Sequence, residues 1–160
     1  MKYSGVLQII GMVPARSGSK GIPDKNIQSL CEKPMLAYSI LAAKECTLID
    51  EVYLNSDSDH YLEVGAHYGA IPYLRGLEHS RDDSTMLSVV LEFVHRVKSN
   101  GTSVDAVVVL YPTYPQRTAE DVDQFLRVFL KSGAERPLIG VQNAENISES
   151  LLFSISRSAG

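Results

Sequence analysis

The chain has 160 residues, 44% of them hydrophobic, and carries 15 Lys and Arg against 19 Asp and Glu, a net charge of −4. This length suits one domain across 1–160, and the apolar fraction is enough to build a core. With no basic tail or stripe the chain lacks the footprint of nucleic-acid binding, and no apolar run nears the roughly 20 residues of a membrane span.

The opening stretch "MKYSGVLQIIGMVP" superficially resembles a short signal. Gln8 and Gly11 break its apolar run and no small-residue cleavage site follows, so 6–13 is read as a first strand. That strand leads directly into "ARSGSKGIPDKN" (15–26), a run of glycines, hydroxyls and cations with one large apolar side chain, Ile22. The segment 34–46 predicts a helix with Pro34 at its first position, where a missing N–H costs nothing. A strand is expected over 51–56, a short helix over 59–69 ending on Gly69, and an extended piece over 70–74. In 84–98, Leu87, Val90, Leu91, Val94 and Val97 share one helical face. The near-continuous apolar run "DAVVVLYP" (105–112) has the composition of a central parallel strand. The clearest helix is 118–133: Val122, Phe125, Leu126, Phe129 and Leu130 recur at helical spacing. Thr118 and Asp121 make a capping-box-like start there, and Gly133 a stop. A further strand is expected over 137–142.

Strands alternating with helices imply an α/β fold, a mostly parallel sheet with helices on both faces. Ligands of such sheets bind at the carboxyl ends of the strands. That rule singles out four loops, 14–26, 55–59, 75–85 and 111–118. In the first, backbone N–H groups of a glycine-rich bend can nest an anion while Arg16, Lys20 and Lys25 neutralise it. The competing reading is a solvated surface loop. The order Gly18-Ser19-Lys20-Gly21 fits neither a Walker A loop nor GxGxxG. Cys31 and Cys46 give no disulfide framework and no metal spacing, and His60, His67, His79 and His95 show no ligand pattern. Reduced thiols and a cytoplasmic location are expected.

The motifs carry a resemblance. "VPARSGSKGIPDKN" resembles the signature of the CMP-sialic acid synthetases, the acylneuraminate cytidylyltransferases. "KPMLAYSILAA", "EVYLNSDSD", "YGAIPYLRGLEHSRDDST" and "VVVLYPTYPQRTAEDVD" are similar to that family's later motifs, in the same order. The likeness runs from about residue 6 to 142. It implies a three-layer Rossmann-like nucleotidyltransferase fold. It also implies transfer of CMP from CTP to the anomeric hydroxyl of a nonulosonic, sialic-acid-like sugar, for cell-surface glycan synthesis. Pyrophosphate leaves and Mg²⁺ assists.

By this resemblance Arg16, Lys20 and Lys25 serve the phosphates catalytically, and Ala15, Arg16, Ser17, Gly18, Ser19, Lys20, Asn26, Arg75 and Ser84 bind the nucleotide. Tyr111, Pro112, Thr113 and Arg117 stand beside the sugar. For Asn26 an ordinary turn residue is the alternative, for Arg75 a surface arginine, and for Arg117 a lock between its loop and the helix at 118. Asp57 either holds Mg²⁺ through water or caps the helix from 59. Tyr111 and Tyr114 replace the glutamine and serine usual in that family, which implies a reshaped acceptor pocket. The chain reads as the nucleotide-binding, N-terminal portion of a longer homodimeric protein, with the main metal ligands expected beyond residue 160. The alternative is a non-catalytic CTP- or sugar-binding module of the same fold.

Overall fold

A computed structural model describes residues 7–18, 21–80, 84–134 and 137–138. Four parallel strands form the central sheet: β1 (Ile9–Pro14), β4 (Glu51–Ser56), β5 (Ile71–Leu74) and β6 (Ala106–Val109), in the order β5-β4-β1-β6. A two-stranded antiparallel hairpin, β2 (Ser29–Leu30) with β3 (Lys33–Pro34), stands apart from the sheet. The helices are α1 (Met35–Glu45), α2 (Asp59–His67), α3 (Met86–Ser99) and α4 (Ala119–Lys131).

β1 is buried along its whole length, with β4 on one side (Met12 beside Tyr53) and β6 on the other (Gly11 beside Val108). Its side chains alternate between two cores, as the period of a strand requires. Ile9 and Val13 join Leu36, Ile40, Leu54, Tyr61, Val122 and Leu126, the core under α1, α2 and α4. Ile10 and Met12 join Tyr53, Tyr73, Val89, Phe93 and Val97, the core under α3. The fold is therefore the expected three layers, with helices on both faces of a parallel sheet. α2 can lie close on β4 because of Gly65: a Cβ there would sit 2.3 Å from Leu54 Cδ2. Among the described residues no helix is long and apolar enough to cross a membrane.

Several expectations need correction. Pro34 is not the first residue of α1 but its N-cap, with an extended backbone. The residue closes β3, and the helix starts after it. β6 is paired only with β1 among the described residues, so the apolar run of 105–112 occupies an edge rather than the centre of the described sheet. In α3 the buried residues are Val89, Phe93 and Val97, with Met86, Val90 and Val94 packed beside them. Leu87 and Leu91 point outward, 69% and 60% exposed. Both ridges have helical spacing, and the sheet took the one that carries the aromatic ring. The capping box of α4 forms as expected: Thr118 Oγ1 accepts from the Asp121 N–H at 3.2 Å, and Asp121 Oδ2 accepts from the Thr118 N–H at 2.9 Å. The strand expected over 137–142 lies outside the described residues apart from Pro137 and Leu138.

Candidate functional site

The strand order β5-β4-β1-β6 has a reversal in it. The chain moves outward from β1 to β4 and β5, then returns through α3 to the far side of β1. Loops leaving the carboxyl ends of β1 and β6 diverge at such a point and open a crevice. A cavity of ≈ 460 Å³ lies there, lined by Pro14, Arg16, Gly21, Ile22, Lys25 and Asn26 from β1 and its loop. Arg75 after β5, Met86 at the start of α3, and Tyr111, Pro112 and Thr113 after β6 complete the wall.

The loop after β1 is tied down by the neighbouring strand and helix. The Ala15 N–H donates to the Asn55 carbonyl at 3.0 Å. The Ser17 N–H donates to Asp57 Oδ1 at 2.8 Å and its hydroxyl to Oδ2 at 3.3 Å. Asn26 is buried, and its Nδ2 donates to the Arg16 carbonyl at 3.0 Å, closing the loop on itself. Asp24, left-handed at φ 51°, opens the 3-10 turn Lys25–Ile27 and accepts from the Tyr61 hydroxyl at 3.0 Å. Burial first, then that bond to Asp24, raises the Tyr61 pKa well above its ordinary value, so it stays a neutral donor.

Arg75 is 7% exposed. Its Nε donates to Asn55 Oδ1 at 2.5 Å and its Nη2 to the Asn55 carbonyl at 3.0 Å. Burial draws its pKa down, while Asp57 and Glu92 oppose that fall and Arg16 adds to it. Three cations, Arg16, Lys25 and Arg75, thus face one cavity, an arrangement suited to a polyanion.

The structure brings together Arg16, Lys25, Asn26, Arg75, Tyr111, Pro112 and Thr113 from the expected set. Ala15 is fully buried in the core and supports the loop from beneath. The Ser17 N–H, expected in an anion nest, is engaged by Asp57, and Gly18 is exposed beside it. Ser84 donates to the Glu78 carbonyl at 3.2 Å, away from the cavity wall. Arg117 lies 5.3 Å over the Tyr114 ring and reaches Ser39 of α1 at 3.4 Å, so it locks its loop to a helix, though to α1 rather than α4. Ser19 and Lys20 lie outside the described residues. The cap of α2 is Ser58, not Asp57. Sequence reasoning missed Asn55, Asp24 and Tyr61 as supports; a polar Asn in the apolar run "VYLNS" was the one available signal.

Asp57 is the candidate Mg²⁺ ligand, and its hard carboxylate oxygens suit that ion, which takes one or two carboxylates together with phosphates and waters. Hydrogen bonds from Ser17 leave lone pairs on both oxygens. Among the described residues no group of three or more His, Cys, Asp or Glu could hold a metal.

A cytidylyltransferase family profile matches residues 10–153. The chain is 30% identical over 128 residues to the CMP-N,N'-diacetyllegionaminic acid synthase of Legionella pneumophila, covering 79% of this chain and 55% of that protein. It is 35% identical over 122 residues to a pseudaminic acid cytidylyltransferase of Campylobacter jejuni, covering 76% and 53%. An N-acylneuraminate cytidylyltransferase of Escherichia coli is 34% identical over 122 residues, covering 76% and 28%. The chain thus spans about half the length, or less, of these relatives. A solved CMP:2-keto-3-deoxy-manno-octonic acid synthetase, complexed with CTP, superposes at a TM-score of 0.67 with 20% identity, covering 79% of this chain and 49% of that one. That likeness supports the fold. The chain belongs to the cytidylyltransferase family.

Proposed function

We propose that the protein transfers CMP from CTP to the anomeric hydroxyl of a nonulosonic acid and releases pyrophosphate. The observation that carries this reading is the convergence of Arg16, Lys25 and Arg75 on one cavity at the strand reversal, in a chain of this family. The legionaminic and pseudaminic relatives give the acceptor class. Phosphoryl transfer asks the protein to position the triphosphate and to stabilise charge, with little covalent work. Arg16 and Lys25 bind the phosphates and neutralise the leaving pyrophosphate, together with Lys20. Asn26 sets the loop and faces the nucleotide. Tyr111, Pro112 and Thr113 form the acceptor side. The acceptor hydroxyl loses its proton to solvent as its oxygen attacks the α-phosphorus; the oxygen bridging to the β-phosphorus leaves with the bond electrons as pyrophosphate. Asp57 would hold Mg²⁺, which would supply charge to shield the phosphates. The reading places the protein in the cytoplasm as a homodimer, feeding surface glycan synthesis.

The test is pyrophosphate release from CTP and Mg²⁺ with a panel of nonulosonic acids. Release that depends on one such acid supports the proposal. CTP binding with no release for any acid favours a binding module, a reading to which the phenol of Tyr111 at the cavity wall lends weight.

A further inference from the structure

We infer that Asn55 is a positioning residue for the nucleotide site, holding the Arg75 guanidinium at the cavity without neutralising it. This rests on the cytidylyltransferase reading of that cavity.

Asn55 has no exposed surface. An amide buried in a strand is unfavourable unless its polar atoms are bonded. Its neighbours Val52, Tyr53 and Leu54 are core residues, so the amide contributes little to apolar packing. Its bonds instead go to the site. Oδ1 accepts from Arg75 Nε at 2.5 Å and the Asn55 carbonyl accepts from Nη2 at 3.0 Å. The same carbonyl accepts from the Ala15 N–H at 3.0 Å, one residue before Arg16. Asn55 therefore anchors two walls of the cavity at once.

Arg75 has five N–H donors, and these bonds use two of them. Arg75 also lines the cavity. A guanidinium anchored along one edge presents the rest in a fixed fork, which suits oxygen acceptors on a bound nucleotide. The chemical type of the anchor matters. A carboxylate at position 55 would hold the same edge but cancel the charge. The amide orients the cation and adds no charge to those of Asp57 and Glu92, which already act on Arg75. Met12 Sδ, 3.7 Å from Asn55 Nδ2, completes the amide's surroundings without adding charge.

The experiment is a double-mutant cycle on CTP affinity, with Asn55→Ala, Arg75→Ala and both together, beside NMR observation of the Arg75 Nε–H. Asn55→Ala is expected to weaken CTP roughly tenfold, the size of one bond to a charged group. Arg75→Ala weakens it at least as much, and the double variant is no weaker than Arg75→Ala alone. The Nε–H resonance, protected from exchange in the parent, loses protection in Asn55→Ala. Asn55→Asp, of the same size, is the variant to use if Asn55→Ala does not fold. It retains the protected resonance and binds CTP more weakly than the parent. Effects that add in the double variant, or an Nε–H still protected in Asn55→Ala, overturn the inference. A parent that binds no CTP overturns the cytidylyltransferase reading instead, and the resonance still decides whether Asn55 holds Arg75.

Discussion

The loops after β1 and β6 wall the same cavity from opposite sides, and they are built differently. The β1 loop is held from below and from the side by Asn55, Asp57 and Tyr61, with Asn26 closing it internally. Its cavity-facing groups are cations on a fixed base. The β6 loop has fewer ties. Ser39 Oγ donates to the Tyr111 carbonyl at 3.1 Å, and Arg117 bridges Tyr114 and Ser39. What it displays is aromatic surface, with Tyr111 and Tyr114 44% and 49% exposed. Burial lowers the Arg117 pKa, the nearby Tyr114 and Asp121 working against it. One wall thus offers charge on a fixed base, and the other offers aromatic surface on a lightly tied one.

The largest expected effect comes from removing a cation of the fixed wall. Arg16→Ala weakens CTP binding by roughly ten- to a hundredfold, the size of one or two lost charge-assisted bonds. Its melting temperature stays within a few degrees of the parent, since Arg16 is only half-buried. Calorimetric titration and a thermal melt check the two halves.

Second, the stability that Tyr61 lends the β1 wall falls at alkaline pH. Tyr61 is 1% exposed and its pKa is raised by burial and then by Asp24. A raised folded-state pKa contributes stability that is complete below the unfolded value near 10 and is lost as pH rises toward the folded one. Tyr61→Phe removes that share of the alkaline loss and costs about 1 kcal/mol at neutral pH through the lost bond. Denaturant midpoints at pH about 7 and pH about 11 measure both.

Third, the cap at the far end of the β6 loop fails at the opposite end of the scale. Asp121 has its pKa lowered by the backbone and side-chain bonds from Thr118. A lowered folded-state pKa gives stability that is present above the unfolded carboxylate value and is lost as pH falls through the folded one. Asp121→Asn flattens the acid limb of the stability profile and leaves the alkaline limb unchanged.

The smallest effect on the nucleotide separates the walls most cleanly. Tyr111→Ala leaves CTP affinity within about twofold, since no charge-assisted bond is lost, while it changes KM for the acceptor sugar. A larger change in CTP affinity would merge the two walls into one.

Local signals were legible in the sequence, and partners distant in the chain were not. The α4 cap could be read because Thr118 and Asp121 are three positions apart and need nothing else. The position of Arg16 and Lys25 at the cavity could be read because the loop leaves the carboxyl end of a strand, whereas the tie of Ser17 to Asp57, 40 residues on, could not. The outward turn of Leu87 and Leu91 could not, because two apolar ridges run along α3 and only the sheet beneath chooses between them. The β2–β3 hairpin was hidden because its turn carries Cys31 and Glu32 at φ 47° and 70°, where glycine or asparagine would have announced it. The role of Asn55 was missed because its partner Arg75 lies 20 residues away, and only the parallel pairing of β4 with β5 brings the two together.

The central claim is that this cavity is a CTP site built on the β1 loop. Its most direct test is a calorimetric titration of the chain with CTP in Mg²⁺, beside ATP, GTP and UTP. Selective binding of CTP that Arg16→Ala weakens is the predicted result. Equal binding of all four nucleotides, or of none, would contradict it.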